Sequence, residues 1–239
     1  MTDLVARIQA EETAFRREEF SDDVLNGVDA NGLSFRQCTF QNINFSQAYL
    51  DDLVCTDCKF IECTFQNTIL ENAIFERCIF YHLMKPCHFV RADLRFSKFE
   101  GCDVRLCNFQ YARLFKSTWH DTNATGADFT RAEFGRAVDI HACNFRMTDL
   151  RDADLRKCNL SKTDFEQANL QEAQLQEANL TTCNFAGTTL KFAKLQGADL
   201  RGANIGSFDI RTMDLTHVKL YRSQGLILLE NAQIDLFDD

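Results

Sequence analysis

One large apolar side chain returns on every fifth residue along almost the whole chain, and no common secondary structure has that period. The series runs Phe35, Phe40, Phe45, Leu50, Cys55, Phe60, Phe65, Leu70, Phe75, Phe80. It resumes at Phe89, reaches Phe134, slips by one residue, and runs from Ile140 to Leu220. Two residues before most centres stands a smaller residue, as at Ala48, Cys58, Cys63, Ala127, Ala168 and Ala198. A helix repeats its faces every 3.6 residues and a strand every 2.0, so a strict five fits neither. A chain that turns a corner every five residues does fit, with four sides to a square coil and each coil laid on the last at ~4.8 Å. Large centres then fill the middle, and the small residues take the tighter place beside them. Stacking shows as recurrence at twenty: Phe145, Phe165 and Phe185, or Leu155, Leu175, Leu195 and Leu215. The 14 centres from 15 to 80, 10 from 89 to 134 and 17 from 140 to 220 make 41. That is about ten coils and a rod of roughly 50 Å. A repeat sets the whole architecture. The expected fold is all-β, a quadrilateral β-helix over 15–220, with an N-terminal cap over 1–14 and a C-terminal segment over 221–239.

No apolar stretch approaches the ~18–20 residues that span a bilayer. The start, Met1-Thr2-Asp3-Leu4, lacks the basic and apolar regions of a secretory signal. A cytoplasmic protein is expected, with no membrane partner. Ten of the eleven cysteines (Cys38, Cys58, Cys63, Cys78, Cys87, Cys102, Cys107, Cys143, Cys158 and Cys183) fall on the small inward site, and Cys55 on a centre. They are read as free thiols packed as small hydrophobes.

The 35 acidic and 26 basic residues give a net charge of −9, unevenly spread. Residues 1–80 carry 14 Asp or Glu against 6 Lys or Arg, a net of −8. No basic stripe for nucleic acid is present. An acidic surface at Asp51, Asp52, Asp57, Glu62, Glu71 and Glu76 has two readings: it keeps a rod soluble, or it occupies a DNA-binding surface of another protein.

Two interruptions break the period. Four extra residues lie between Phe80 and Phe89, within a loop at 81–88 that begins Tyr81, His82, Leu83, Met84, Lys85, Pro86 and holds the only proline. The loop is either a tolerated insertion or a contact for a partner. The slip near 135–139 is read as a bulge. The five histidines are scattered, and His82, Cys87 and His88 lack a fourth zinc ligand at a convincing spacing. Asp and Asn just before the centres suit corner hydrogen bonding, so pairs such as Asp152 and Asp154 are not read as acid–base pairs. No catalysis and no cofactor are expected. At the ends, Leu4, Val5 and Ile8 suit one face of a short capping helix, and Ser223 suits the cap of a helix over Leu226–Asn231. The tail from Gln233 to Phe237 alternates as a strand would.

The run Ala198-Asp-Leu-Arg-Gly-Ala-Asn-Ile205 resembles the signature of the pentapeptide-repeat family, and the resemblance covers about residues 13–220. Ala124-Thr-Gly-Ala-Asp-Phe129 is similar to a repeat of the gyrase-protecting Qnr proteins, and Asp209 to Leu220 resembles their final coil. Leu226 to Leu236 is similar to the helix and tail through which Qnr, MfpA and AlbG proteins dimerise. The resemblance implies a right-handed turn and a homodimer held by Leu226, Ile227, Leu229, Ile234, Leu236 and Phe237. It also implies a non-catalytic DNA mimic that binds DNA gyrase, a type II topoisomerase, and protects it from a poison without touching nucleic acid itself. The Qnr proteins also project a loop after a similar Cys-x-Phe-Tyr; the loop here is shorter, and their second large loop is missing. The alternative is a structural or adaptor rod with an unrelated partner.

Overall fold

The computed structural model describes residues 4–135, 138–206 and 208–234. The chain is a right-handed quadrilateral β-helix with a short helix at each end. Along one side, Ala14–Arg16, Ser34–Arg36, Val54–Thr56, Ile74–Glu76, Lys98–Glu100, Thr118–His120 and Asp139–His141 form one parallel seven-stranded sheet. Single bridges extend the same side from Asp139 through Asn159, Asn179 and Asp199 to Lys219. Most rungs join residues twenty apart, such as Phe15 to Phe35 and Phe40 to Phe60. Where the loop intervenes the offset becomes 24, pairing Phe75 with Phe99. Across the slip it becomes 21, pairing Trp119 with Ile140. The hairpin leaves the ladder by a corner, and the coils beyond both interruptions keep their phase; the bulge expected near 135–139 lies partly outside the described residues, at 136 and 137.

Inside, the centres stack ring upon ring. Phe60 is 1% exposed, and its ring lies parallel to Phe40 and Phe80 with both centroids 4.7 Å away. That distance matches the strand spacing, because backbone pairing and ring stacking share one axis. Phe65 and Phe75 meet Phe60 edge-on from adjacent sides. Offset and edge-to-face pairs add ~0.5–1.5 kcal/mol each beyond the area they bury.

The small site has a polar duty that its sequence class conceals. Cys58 Sγ donates to the Phe35 carbonyl at 3.4 Å, Cys78 Sγ to Cys55 at 3.3 Å and Cys102 Sγ to Phe75 at 3.3 Å. In the next coils the same site holds Thr122, whose hydroxyl donates to Phe99 at 3.2 Å, and later Cys183, which donates to Leu160 at 3.0 Å. Cysteine and threonine exchange freely here because each is small and each satisfies an inward carbonyl.

Outside, most described corners place the residue two past the centre in the left-handed region, as at Asp52 (φ 57°), Asn67 (55°) and Met147 (58°). The residue before the centre ties the corner down: the Ser46 N–H donates to Asn44 Oδ1 at 2.9 Å and the Thr130 N–H to Asp128 Oδ1 at 2.8 Å. Where that residue is Asp and Arg follows two later, the guanidinium clamps it, as Arg105 does Asp103 and Arg201 does Asp199.

Helix α1 (Leu4–Gln9) covers the first coil with Leu4 fully buried, while Arg7 lies over the Phe15 ring and pairs with Glu12 and Glu18. The last coil departs from the period. Ile210, an expected centre, lies in a 3-10 turn over Ile210–Thr212, and Phe208 takes the buried place 5.5 Å from the Phe185 ring. Helix α2 (Arg222–Asn231) has Tyr221 as its N-cap, not Ser223. Gln224 decides the start: its Oε1 accepts from the Tyr221 N–H at 2.9 Å, and its Nε2 donates to the Leu200 and Ala203 carbonyls, both at 2.8 Å.

Replacing Phe60 with alanine opens a cavity among four rings, and the expected cost is ~3–5 kcal/mol in denaturant unfolding. A loss below ~1 kcal/mol would contradict the stacked interior.

Candidate functional site

The loop after Phe80 is a two-stranded antiparallel hairpin, Tyr81–His82 against Lys85–Pro86. Cys87 N–H donates to the Phe80 carbonyl at 2.9 Å where the chain rejoins the coil. Proline is tolerated because this hairpin stands apart from the rod's ladder. Its arms are anchored: the Arg105 guanidinium lies 4.8 Å over the Tyr81 ring, and Lys85 pairs with Glu62 at 2.8 Å. The tip is free. Leu83 and Met84 are 76% and 73% exposed, with φ of 48° and 64°. Two successive positive φ values suit Asn-Gly, so two bulky apolar residues here carry strain and expose oily surface together. At the same corner in the following coils Leu106 and Met147 are also exposed, with Gly126 between them. A Cβ at Gly126 would lie 2.6 Å from Leu106 Cδ2, so glycine there lets the Leu106 side chain lie flat. This apolar line was not expected from the sequence; its signal was apolar residues two past the centre, where polar ones prevail.

The six expected acids do not converge. Asp51, Asp52 and Glu71 share one side of the rod, Asp57 and Glu76 lie on the next, and Glu62 sits beside the loop. Four of them are partly neutralised: Asp57 by Arg77 at 2.6 Å, Glu76 by Arg77 at 3.9 Å, Glu62 by Lys85 at 2.8 Å and Glu71 by Arg95 at 2.9 Å. Arg77 holds the Asp57 carboxyl below the usual range. Asp51 accepts from the Glu71 N–H at 3.0 Å, and Asp52 is exposed at its corner. Stacking sets Asp57, Glu62 and Glu71 beside a base 20, 23 or 24 residues later, on the coil or loop that follows, a relation invisible in a linear charge count.

At the C-terminus, Gln224 and Leu228 of α2 face the last coil, leaving Leu226 (41% exposed) and Ile227 (40%) outward. Leu229 is half-buried and Ile234 is 47% exposed. Leu236 and Phe237 lie outside the described residues.

All eleven cysteines are buried and unpaired. Burial pushes the Cys143 and Cys183 thiols up to about 12 and Cys158 to about 11, so they stay protonated donors. Cys87 points inward to the Phe60 carbonyl while His88 faces out, so this pair cannot close on one ion. Among the described residues no group of three His, Cys, Asp or Glu could hold a metal, and no helix is long and apolar enough to cross a membrane.

A family profile described as pentapeptide repeats (8 copies) matches residues 38–77, 87–117 and 107–146. Another, described as a pentapeptide repeat region, matches 137–205 and 153–226. Among solved structures, a trypsin-treated variant of QnrB1, described as a plasmid-mediated fluoroquinolone resistance protein, superposes with a TM-score of 0.69 at 24% identity, covering 95% of this chain and 98% of that one. Full-length QnrB1 gives a TM-score of 0.66 at 25% identity, covering 90% of this chain and 100% of that one. No curated protein matches this chain in sequence.

The Asp–Arg clamps give a pH signature. Arg201 holds the Asp199 carboxyl below its ordinary range. A carboxylate with a depressed folded pKa adds stability above its unfolded value near ~4, and that stability is lost as pH falls through the folded value. Asp199→Asn should therefore show a smaller drop in thermal midpoint between about pH 5 and about pH 3 than the parent chain; equal drops would remove the clamp from the acid response.

Proposed function

The chain belongs to the pentapeptide-repeat family, and from that premise we propose that it is a non-catalytic DNA mimic that binds DNA gyrase and protects it from a topoisomerase poison. What carries the reading is end-to-end likeness to a fluoroquinolone resistance protein, 90% of this chain against 100% of QnrB1 at 25% identity. The net charge of −9, concentrated as −8 in residues 1–80, supports engagement of a basic DNA groove. Protection of this kind takes place in the cytoplasm. The hairpin tip is the second contact, since Leu83 and Met84 offer an apolar probe on a rigid anchor. Because most of the expected acids already have cationic partners, the tip carries more of the specificity, and the acids mainly speed and orient encounter.

Deleting Leu83 to Pro86 restores the five-residue spacing and should leave the coils folded. In a gyrase supercoiling assay with a quinolone, that deletion should abolish protection while much of the gyrase binding remains. Neutralising Asp51, Asp52, Asp57, Glu62, Glu71 and Glu76 to Asn or Gln should weaken binding and its salt dependence. Full protection by a protein carrying both sets of changes would overturn the proposal.

We further propose that the outward face of α2 and the tail join two copies end to end, since terminal apolar residues are commonly hidden in a two-fold contact. Leu226→Asp with Ile227→Asp should give monomers in light scattering at high salt. An unchanged dimer mass there would place the contact elsewhere.

A further inference from the structure

One side of the rod, built on Ala30, Leu50, Leu70, Leu94, Leu114 and Phe134, changes charge along its length. Its first three coils present Asp29, Asp51, Asp52 and Glu71 beside an exposed Tyr49. Its next three present Arg91, Tyr111 and Arg131 along one corner and Phe96, Phe115 and Lys116 along the other. Residues 81–135 hold eight Lys or Arg against six Asp or Glu, a net of +2, next to the −8 of residues 1–80. The cations on the two corners are spent on rings and not on carboxylates. The Arg91 and Arg131 guanidinium groups lie 5.4 and 5.7 Å from the Tyr111 ring, and Lys116 Nζ lies 5.6 and 5.4 Å from the Phe96 and Phe115 rings. Phe96, Tyr111 and Phe115 are each about two-fifths exposed (40, 39 and 40%). Flat, aromatic and cationic surface of this kind marks an interaction site.

We infer that this side is a second, lateral interface on which another copy of the same chain lies antiparallel, the acidic coils of each against the aromatic–basic coils of the other. Symmetry supports this pairing. A two-fold axis lying across the side, between the Leu70 and Leu94 coils, reverses the order of the coils and keeps each corner facing itself. On one corner the order Asp52, Asn72, Phe96, Lys116 then meets itself reversed, so Asp52 faces Lys116 of the other copy twice. In the column beside it Glu71 and Arg95, which already pair at 2.9 Å within each chain, face their counterparts across the axis twice, and along the middle Tyr49 faces Arg113, which its own Asp93 holds at 2.9 Å. One like-charge pairing, Asp29 with Glu133, also made twice by the same axis, stands against these. A parallel two-fold arrangement gains none of them, because it keeps each coil level and exchanges the corners, so Asp52 meets Gln47 and Lys116 meets Tyr111. A nucleic acid strand fits less well, since the neighbouring coils of the same side would repel it. Six coils span roughly 25 Å, a footprint at the small end for protein association, so the pairing is weak and salt-sensitive. It is independent of the gyrase reading, although it would cover Asp51 and Asp52 and so compete with any partner using them.

The test exchanges the charges in trans, in full chains carrying Leu226→Asp and Ile227→Asp to remove end-to-end contact. Asp52→Lys and Lys116→Asp both stand at exposed corner positions with φ of 57°, a geometry the chain already gives to lysine at Lys157 and to aspartate at Asp152. The parent should self-associate in sedimentation at about 50 mM NaCl and dissociate at about 500 mM. Each variant alone should associate about tenfold more weakly or not at all, because each then sets like charges opposite each other. An equimolar mixture of the two should recover the association, as both contacts become Lys–Asp again. A mixture that stays monomeric, or variants that associate as the parent does, overturns the pairing. So does a parent that stays monomeric at low salt, including one that instead binds a single-stranded oligonucleotide lost with Arg91→Ala and Arg131→Ala.

Discussion

Every coil of this protein is held by the coil beneath it through two interactions that share one axis and one spacing. The backbone of Phe60 pairs upward, as its N–H donates to the Ile79 carbonyl at 2.7 Å, while its ring rests 4.7 Å from those of Phe40 and Phe80. Neither interaction tolerates a change in pitch without damaging the other. The small site joins the same arrangement, since Cys58, Cys78 and Cys102 each reach a carbonyl of the coil before. Stiffness therefore comes from register and not from length, and it explains how left-handed corners occupied by Asp, Lys, Met or Phe persist at a cost of ~1 kcal/mol each.

Rigid register also frees the corners for function. Inserted residues leave at a corner and return to it, so a four-residue hairpin changes the rung offset from twenty to 24 with no loss of pairing. The strained tip of Leu83 and Met84 is carried by two anchored arms, which keeps an apolar contact in a fixed place at low entropic cost. The same rigidity turns the outward columns into linear arrays, and an array can hold one charge for three coils and the other for the next three. A self-complementary side arises from that regularity alone.

Charge illustrates the difference between composition and surface. A net of −9 suggests a strongly acidic rod, yet Arg77, Lys85 and Arg95 each lie against a carboxylate of an earlier coil. What is left exposed is a smaller set of unpaired acids, and a central stretch where arginine and lysine sit on aromatic rings. On the proposed reading, encounter with a basic partner is steered by fewer charges than the count implies, and specificity falls to shape and to the hairpin.

The period of five was enough, by itself, to determine the solenoid, the inward centres, the free buried thiols and the corner role of Asp and Asn, because each depends only on residues five or twenty apart. It also located the hairpin insertion and the slip as interruptions of a count. Tertiary structure alone decided three matters. Ile210 gave way to Phe208 at the last coil, because a 3-10 turn there moves the buried place by two residues. Gln224 set the start of α2 by reaching across to Leu200 and Ala203, contacts more than twenty residues away that no local capping pattern contains. The acids chosen from a linear charge count fell on three sides with cations beside most of them, because the side a residue occupies is fixed by its phase within the coil and not by its neighbours in the chain.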